Sequence, residues 1–328
     1  MLVLSRHRRP VNAVTFSADG DFVATASDDR TAKVWDANTG EVIFSLGNHN
    51  ATVQSVAFSP DGRLLATGSE DYYARIWDLG DGTLRLPVLP HEGPVNWVTF
   101  DAAGERLLTA SEDGSVRVWD VATGDLLQTF THDTAVASAI YSPDQTQLAI
   151  ADNNGRVVVW AAATGEPVLT LEAHNGPVNA IVYSDDGRRL ATAGGDGAAK
   201  IWDLDTGDLL RTFSGHAGPV LSVAFSPDGT RLATTSVDRT AKLWNTQTGQ
   251  VLRTLLGHTA PVNSVVFSPD GARLATASAD RTAQINDLNP VDTLFERALE
   301  RMTRPMTARE CEQYLRDELC LTQEEIED

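Results

Sequence analysis

Residues 49–88 read HNATVQSVAFSPDGRLLATGSEDYYARIWDLGDGTLRLPV. Val53, Val56 and Phe58 lead into Ser59-Pro60-Asp61-Gly62. That quartet is a turn: proline presets φ, the aspartate side chain bonds the backbone, and glycine takes the left-handed position. Residues 64–69 read as the next strand, Glu70-Asp71 as a second turn, and 74–78 as a third strand with in–out alternation. Gly80-Asp81-Gly82 turns the chain again, and 83–88 reads as a fourth strand. Such a sheet has two apolar faces and cannot stand alone.

The stretch recurs. All seven histidines fall in one series: His7, His49, His91, His132, His174, His216 and His258, in steps of 42 residues with a single step of 41. Trp35, Trp77, Trp119, Trp160, Trp202 and Trp244 run in phase with them, and Asn286 stands where a seventh Trp is due. A period of about 40–45 residues closing on Trp-Asp marks a four-stranded propeller blade. Seven copies predict an all-β, seven-bladed ring, in which stacking buries both faces of every sheet. Aligning His7 with His258 places residues 2–5 at a fourth-strand position, while the last repeat supplies three strands. The N-terminal strand is therefore expected to complete blade 7 beside residues 284–288. The reading divides the chain into a propeller over 1–288 and an extension over 289–328.

The pattern resembles the WD-repeat β-propeller family over residues 1–288. In that family a His, a Ser or Thr, an Asp and a Trp of one blade form a buried hydrogen-bonded tetrad. The resemblance implies complete sets at His7/Ser27/Asp29/Trp35, His49/Ser69/Asp71/Trp77, His91/Ser111/Asp113/Trp119 and His216/Ser236/Asp238/Trp244. Three repeats depart: the fourth has Asp152 and Asn154 at the Ser and Asp places, the fifth has Gly194 for Ser, and the seventh has Asn286 for Trp. A partly satisfied buried network is costly, so blades 4 and 7 are expected to be the softest.

Ser, His and Asp in one unit invite comparison with a nucleophilic triad, but a motif repeated in nearly every blade reads as a structural brace. No catalytic residue is assigned. No His-x₃-His or Cys-x₂-Cys spacing points to a metal. Turns such as Ser27-Asp28-Asp29 lack the ligand series of a calcium loop, and Gly194-Gly195-Asp196-Gly197 lacks the Lys-Ser/Thr of a phosphate loop. Neither metal nor cofactor is expected.

The net charge is −19, acidic in the repeats and in the extension alike. Such a surface repels phosphate backbones, which argues against nucleic acid and anionic membrane as partners. No apolar run reaches the roughly 18 residues of a membrane helix, and the N-terminus has no signal-peptide core. Cys311 and Cys320 are the two cysteines. On one helix they would stand roughly 13 Å apart, against the about 7 Å a disulfide tolerates. Free thiols suit a reducing cytoplasm.

In WD-repeat proteins three positions per blade commonly line the top mouth of the channel. Carried over, the first is Pro10, Thr52, Pro94, Ala135, Pro177, Pro219 and Pro261. The second is Asn12, Gln54, Asn96, Ala137, Asn179, Leu221 and Asn263. The third is Asp28, Glu70, Glu112, Asn153, Gly195, Val237 and Ala279. The third set is lopsided, acidic over blades 1–3 and neutral or apolar over blades 5–7. A protein or peptide with a Lys or Arg entering the acidic half is the expected partner. Trp97 stands where other repeats have small residues, and either fills a gap between blades or projects as an interface anchor. Tyr72 and Tyr73 would extend an aromatic patch.

Val291, Leu294, Phe295, Ala298, Leu299 and Met302 form one helical stripe. Thr307-x-x-Glu310 is a capping box before Cys311, Tyr314, Leu315 and Leu319. Residues 299–319 resemble helical extensions found after bacterial WD-repeat sensor domains. The leading functional expectation is a non-catalytic scaffold or sensor acting through the mouth or the helical tail. The alternatives are an obligate subunit or sensor fragment of a larger signalling protein, and a small-ligand binder or enzyme using the channel.

Overall fold

The structure, a computed structural model, describes residues 1–86 and 88–288. Expectations that fall on the extension, including its helices and the pairing of Cys311 with Cys320, lie outside the described residues.

Seven antiparallel sheets follow one another along the chain. Their first strands are Val11–Phe16, Val53–Phe58, Val95–Phe100, Val136–Tyr141, Val178–Tyr183, Val220–Phe225 and Val262–Phe267. Each contacts the first strand of the next blade, and the last contacts the first, so the ring closes. The closing sheet is Leu2–Leu4 against Ala283–Asp287, with Leu2 opposite Ile285 and Leu4 opposite Ala283. Leu4 is 1% exposed there.

The core lies in the seams between blades. Ala24, Val34 and Leu46 of blade 1 pack on Val53, Leu65 and Trp77 of blade 2, and comparable clusters follow from seam to seam. Each of the six periodic indoles packs toward the preceding blade. Where an indole would face blade 6 from blade 7, the chain has the buried Asn286.

Blade 2 departs from the expected single fourth strand. Thr83–Leu84 and Leu89–Pro90 pair separately with Tyr73–Asp78. The sequence between and at the end of these pieces holds Pro87 and Pro90, which have no N–H to give to a ladder.

A bulge recurs in all seven blades. The register between first and second strands skips one residue, always the second of the first strand: 12, 54, 96, 137, 179, 221 and 263. Bulges re-aim side chains, and here they turn this position toward the neighbouring blade.

Candidate functional site

The brace inside each blade is a chain of four groups. In blade 1 the Trp35 indole N–H donates to Thr25 Oγ1 at 2.8 Å. Thr25 Oγ1 lies 2.7 Å from His7 Nε2, and His7 Nδ1 lies 2.8 Å from Asp29. The indole can only donate and the carboxylate only accepts, so the ring nitrogen that faces Asp29, Nδ1, carries a proton. Blades 2, 3 and 6 repeat it through Thr67, Thr109 and Thr234.

The bridging hydroxyl therefore belongs to threonine, and the serine assignment is corrected. Ser27 Oγ accepts the Asp29 amide and donates to the Arg9 carbonyl. Ser69, Ser111 and Ser236 pin their turns in the same way. Alternation explains the difference: Ser27 is two residues beyond Thr25, at the strand end, where its side chain reaches the turn backbone. The fifth blade is corrected too. Gly194 removes only the serine, and His174 still bridges Asp196 and Thr192, which accepts from Trp202. Threonine recurs ten residues before the tryptophan position in every repeat except the fourth, a signal the sequence carried.

Blade 4 has Ile150 at the threonine place and Asn154 at the aspartate place. His132 Nε2 and Trp160 Nε1 are buried with no partner among the described residues. Asp152 instead accepts the amides of Asn154 and Arg156 and pairs with the Arg156 guanidinium. In blade 7, His258 keeps Asp280 and Thr276.

Burial sets the electrostatics. Desolvation holds the imidazoles of His49, His132, His174 and His216 below their ordinary pKa, and takes His91 down to about 4. For Asp113 burial is the largest single influence and acts upward. The Ser115 hydroxyl, the amides of Glu92 and Ser115 and the His91 ring together outweigh it, leaving the carboxyl at about 2.

At the top mouth the first and third sets are tied through the backbone. Asp28, Glu70, Glu112, Asn153, Gly195, Val237 and Ala279 donate their amides to the carbonyls of Pro10, Thr52, Pro94, Ala135, Pro177, Pro219 and Pro261. Glu70 and Glu112 are exposed and Asp28 is half-buried. The Gln54 amide reaches the Glu70 carboxylate.

The asparagines do other work. Asn12, Asn96, Asn179 and Asn263 donate to the carbonyls of Val53, Val136, Val220 and Val11, each on the next blade. They stitch seams, and Asn12 also holds Asp28. Trp97 is half-buried against the cluster between blades 3 and 4, with its indole N–H unpartnered among the described residues. It belongs to the wall, packed with that cluster. Tyr72 is exposed, with φ of 73°. Arg30, Arg239 and Arg281 share that left-handed turn position, and sequence reasoning had passed over them.

A family model, the WD domain, G-beta repeat, matches residues 1–36, 40–78, 81–120, 124–161, 165–203, 207–245 and 249–287. The chain belongs to this family. No curated protein matches it. WD propellers commonly act as protein-interaction scaffolds and are generally non-catalytic.

Proposed function

We propose that this WD propeller is a non-catalytic scaffold or sensor that recruits a protein or peptide at its top mouth. A lysine or arginine of the partner enters between Asp28, Glu70 and Glu112, and an apolar side chain meets Val237 and Ala279. One observation carries the reading. Three acidic side chains stand on consecutive blades, on turns fixed by backbone hydrogen bonds, across from Gly195, Val237 and Ala279. Fixed loops on a rigid ring lose little entropy on binding. Exposed Tyr72 adds an aromatic contact beside the acids. A cytoplasmic setting belongs to the proposal, with both cysteines of the chain outside the repeats.

The test is affinity capture from the source lysate, followed by titration of the captured protein. Changing Asp28, Glu70 and Glu112 together to Ser removes charge pairs of about 0.2–1 kcal/mol each. Affinity should fall about tenfold, with weaker salt dependence, while the melting temperature holds. Unchanged affinity would sink the mouth reading and move attention to the 289–328 extension.

A further inference from the structure

At three seams an arginine of one blade rests on the next. Arg189, Arg231 and Arg273 each open the second strand of their blade. Their guanidinium carbons stand 5.4, 5.6 and 5.4 Å from the ring centroids of Phe225, Phe267 and Phe16. Arg231 Nη2 donates to the Gly271 carbonyl at 3.0 Å. Arg273 has the fullest set: Nη2 to the Gly20 carbonyl at 2.8 Å, and Nη1 to the Ala37 carbonyl at 3.4 Å and to Asn38 Oδ1 at 3.2 Å. All these acceptors lie in turns of the bottom face, opposite the mouth.

At the seam from blade 4 to blade 5 the arginine place holds Gln147. The acceptor side is retained. Gly187 stands where Gly20 does, Leu204 where Ala37 does, and Asp205 where Asn38 does. These residues and Gln147 line a cleft of about 440 Å³, together with Asp144, Asp185 and Asp186. Arg188 is the one cation in its wall. Tyr183 takes the place of the phenylalanines. It is 6% exposed, and its hydroxyl has no partner among the described residues. Burial raises its pKa, and the charge of Asp144, in the cleft wall, raises it further.

We propose that this bottom cleft binds a guanidinium group, the arginine side chain of a partner polypeptide, in the manner in which the chain holds its own Arg273 at the closing seam. The Gly187 and Leu204 carbonyls and the Asp205 carboxylate form the acceptor set. Asp205 in place of an asparagine turns one of these charge-assisted bonds into an ion pair. The cleft volume falls in the about 300–1,000 Å³ range of ligand sites. A guanidinium presents donors in a planar fork, whereas an ammonium is a point charge, so the cleft discriminates arginine from lysine. The site is independent of the top mouth.

The test titrates the full chain with N-acetyl-arginine methylamide, following backbone NMR shifts. The lysine and citrulline counterparts and free arginine are the controls. Saturable shifts are expected at Gly187 and Asp205, about tenfold tighter for capped arginine than for capped lysine, and none with citrulline. Gln147→Arg fills the cleft from within, so binding should be lost while the melting temperature rises. Asp205→Ala, on an exposed turn, should weaken binding about tenfold without that rise. Absence of saturable shifts, parity between arginine and lysine, or unchanged binding in either variant would overturn the site. Free arginine binding as tightly as the capped form would overturn the polypeptide source.

Discussion

Thr109 and Ile150 occupy the same place in successive blades, and Ile150 carries an ethyl group where Thr109 carries a hydroxyl. Thr109 Oγ1 accepts from Trp119 at 2.9 Å and lies 2.7 Å from His91 Nε2. Ile150 does neither, and two buried polar atoms are left without partners among the described residues. A buried orphan costs about 1–3 kcal/mol, and a satisfied bond contributes about 1 kcal/mol. Thr109→Ile should therefore lower unfolding stability by about 2–4 kcal/mol. Ile150→Thr gains both bonds and loses the burial of an ethyl group, about 1.6 kcal/mol. It should raise stability by about 1 kcal/mol. Urea melts of the two variants decide the matter. A destabilised Ile150→Thr protein would mean that packing around Ile150, and not the missing hydroxyl, sets the strength of blade 4.

Strand Leu2–Leu4 is the element on which closure depends. It is three residues long, yet Leu4 is 1% exposed and packs with Val11, Trp35 and Ile285. Leu4→Ala should cost about 2–5 kcal/mol by the usual cavity penalty, read as a drop in the urea midpoint at unchanged slope. A loss below about 1 kcal/mol would show that the last blade stands without its borrowed strand. This strand was legible in the sequence because the histidine series fixes the register at both ends of the chain. The blade order and turn positions were legible for the same reason. Which hydroxyl completes the brace was not read correctly. Ser27 and Thr25 lie on one face of a strand, and only the position of the turn decides which of them meets the imidazole. The role of Asn12, Asn96, Asn179 and Asn263 was also hidden. A bulge aims them at the next blade, and a bulge leaves no mark on the alternation of apolar residues. The divided fourth strand of blade 2 had its sign in Pro87 and Pro90.

Around the whole ring the same few devices are dealt out unevenly. Asparagine stitches four seams. At two others a serine hydroxyl accepts an amide of the next blade, Val98 to Ser55 and Val265 to Ser222, and Val14 to Ser264 doubles the stitched closing seam. From blade 4 to blade 5 the stitching place holds Ala137, and Ser138 Oγ has no partner among the described residues. That seam rests on apolar contact, chiefly Val159, Leu171, Ile181 and Trp202. Five blades, however, share one vulnerability, an imidazole that burial holds below its ordinary pKa. His91 has a pKa of about 4 in the folded chain, against about 6.5 when unfolded. His49, His132, His174 and His216 move in the same direction, each chiefly through burial. As pH falls through about 6.5 the unfolded chain takes up protons that the folded ring refuses, so folding weakens from there down to about pH 4. His91 alone accounts for up to about 3 kcal/mol of that loss. Below about pH 4 the aspartates take over. Asp29, Asp71, Asp113 and Asp238 have lowered pKa values, because their hydrogen-bond donors and histidine partners outweigh burial. The stability they contribute is lost as pH falls from about 4 toward their folded values. Calorimetric melts across this range should show a melting temperature that declines steadily from pH 6.5 to 4 and more steeply below. A flat profile between pH 6.5 and 4 would mean that these five imidazoles take up protons inside the folded ring, against the depression that burial imposes on them.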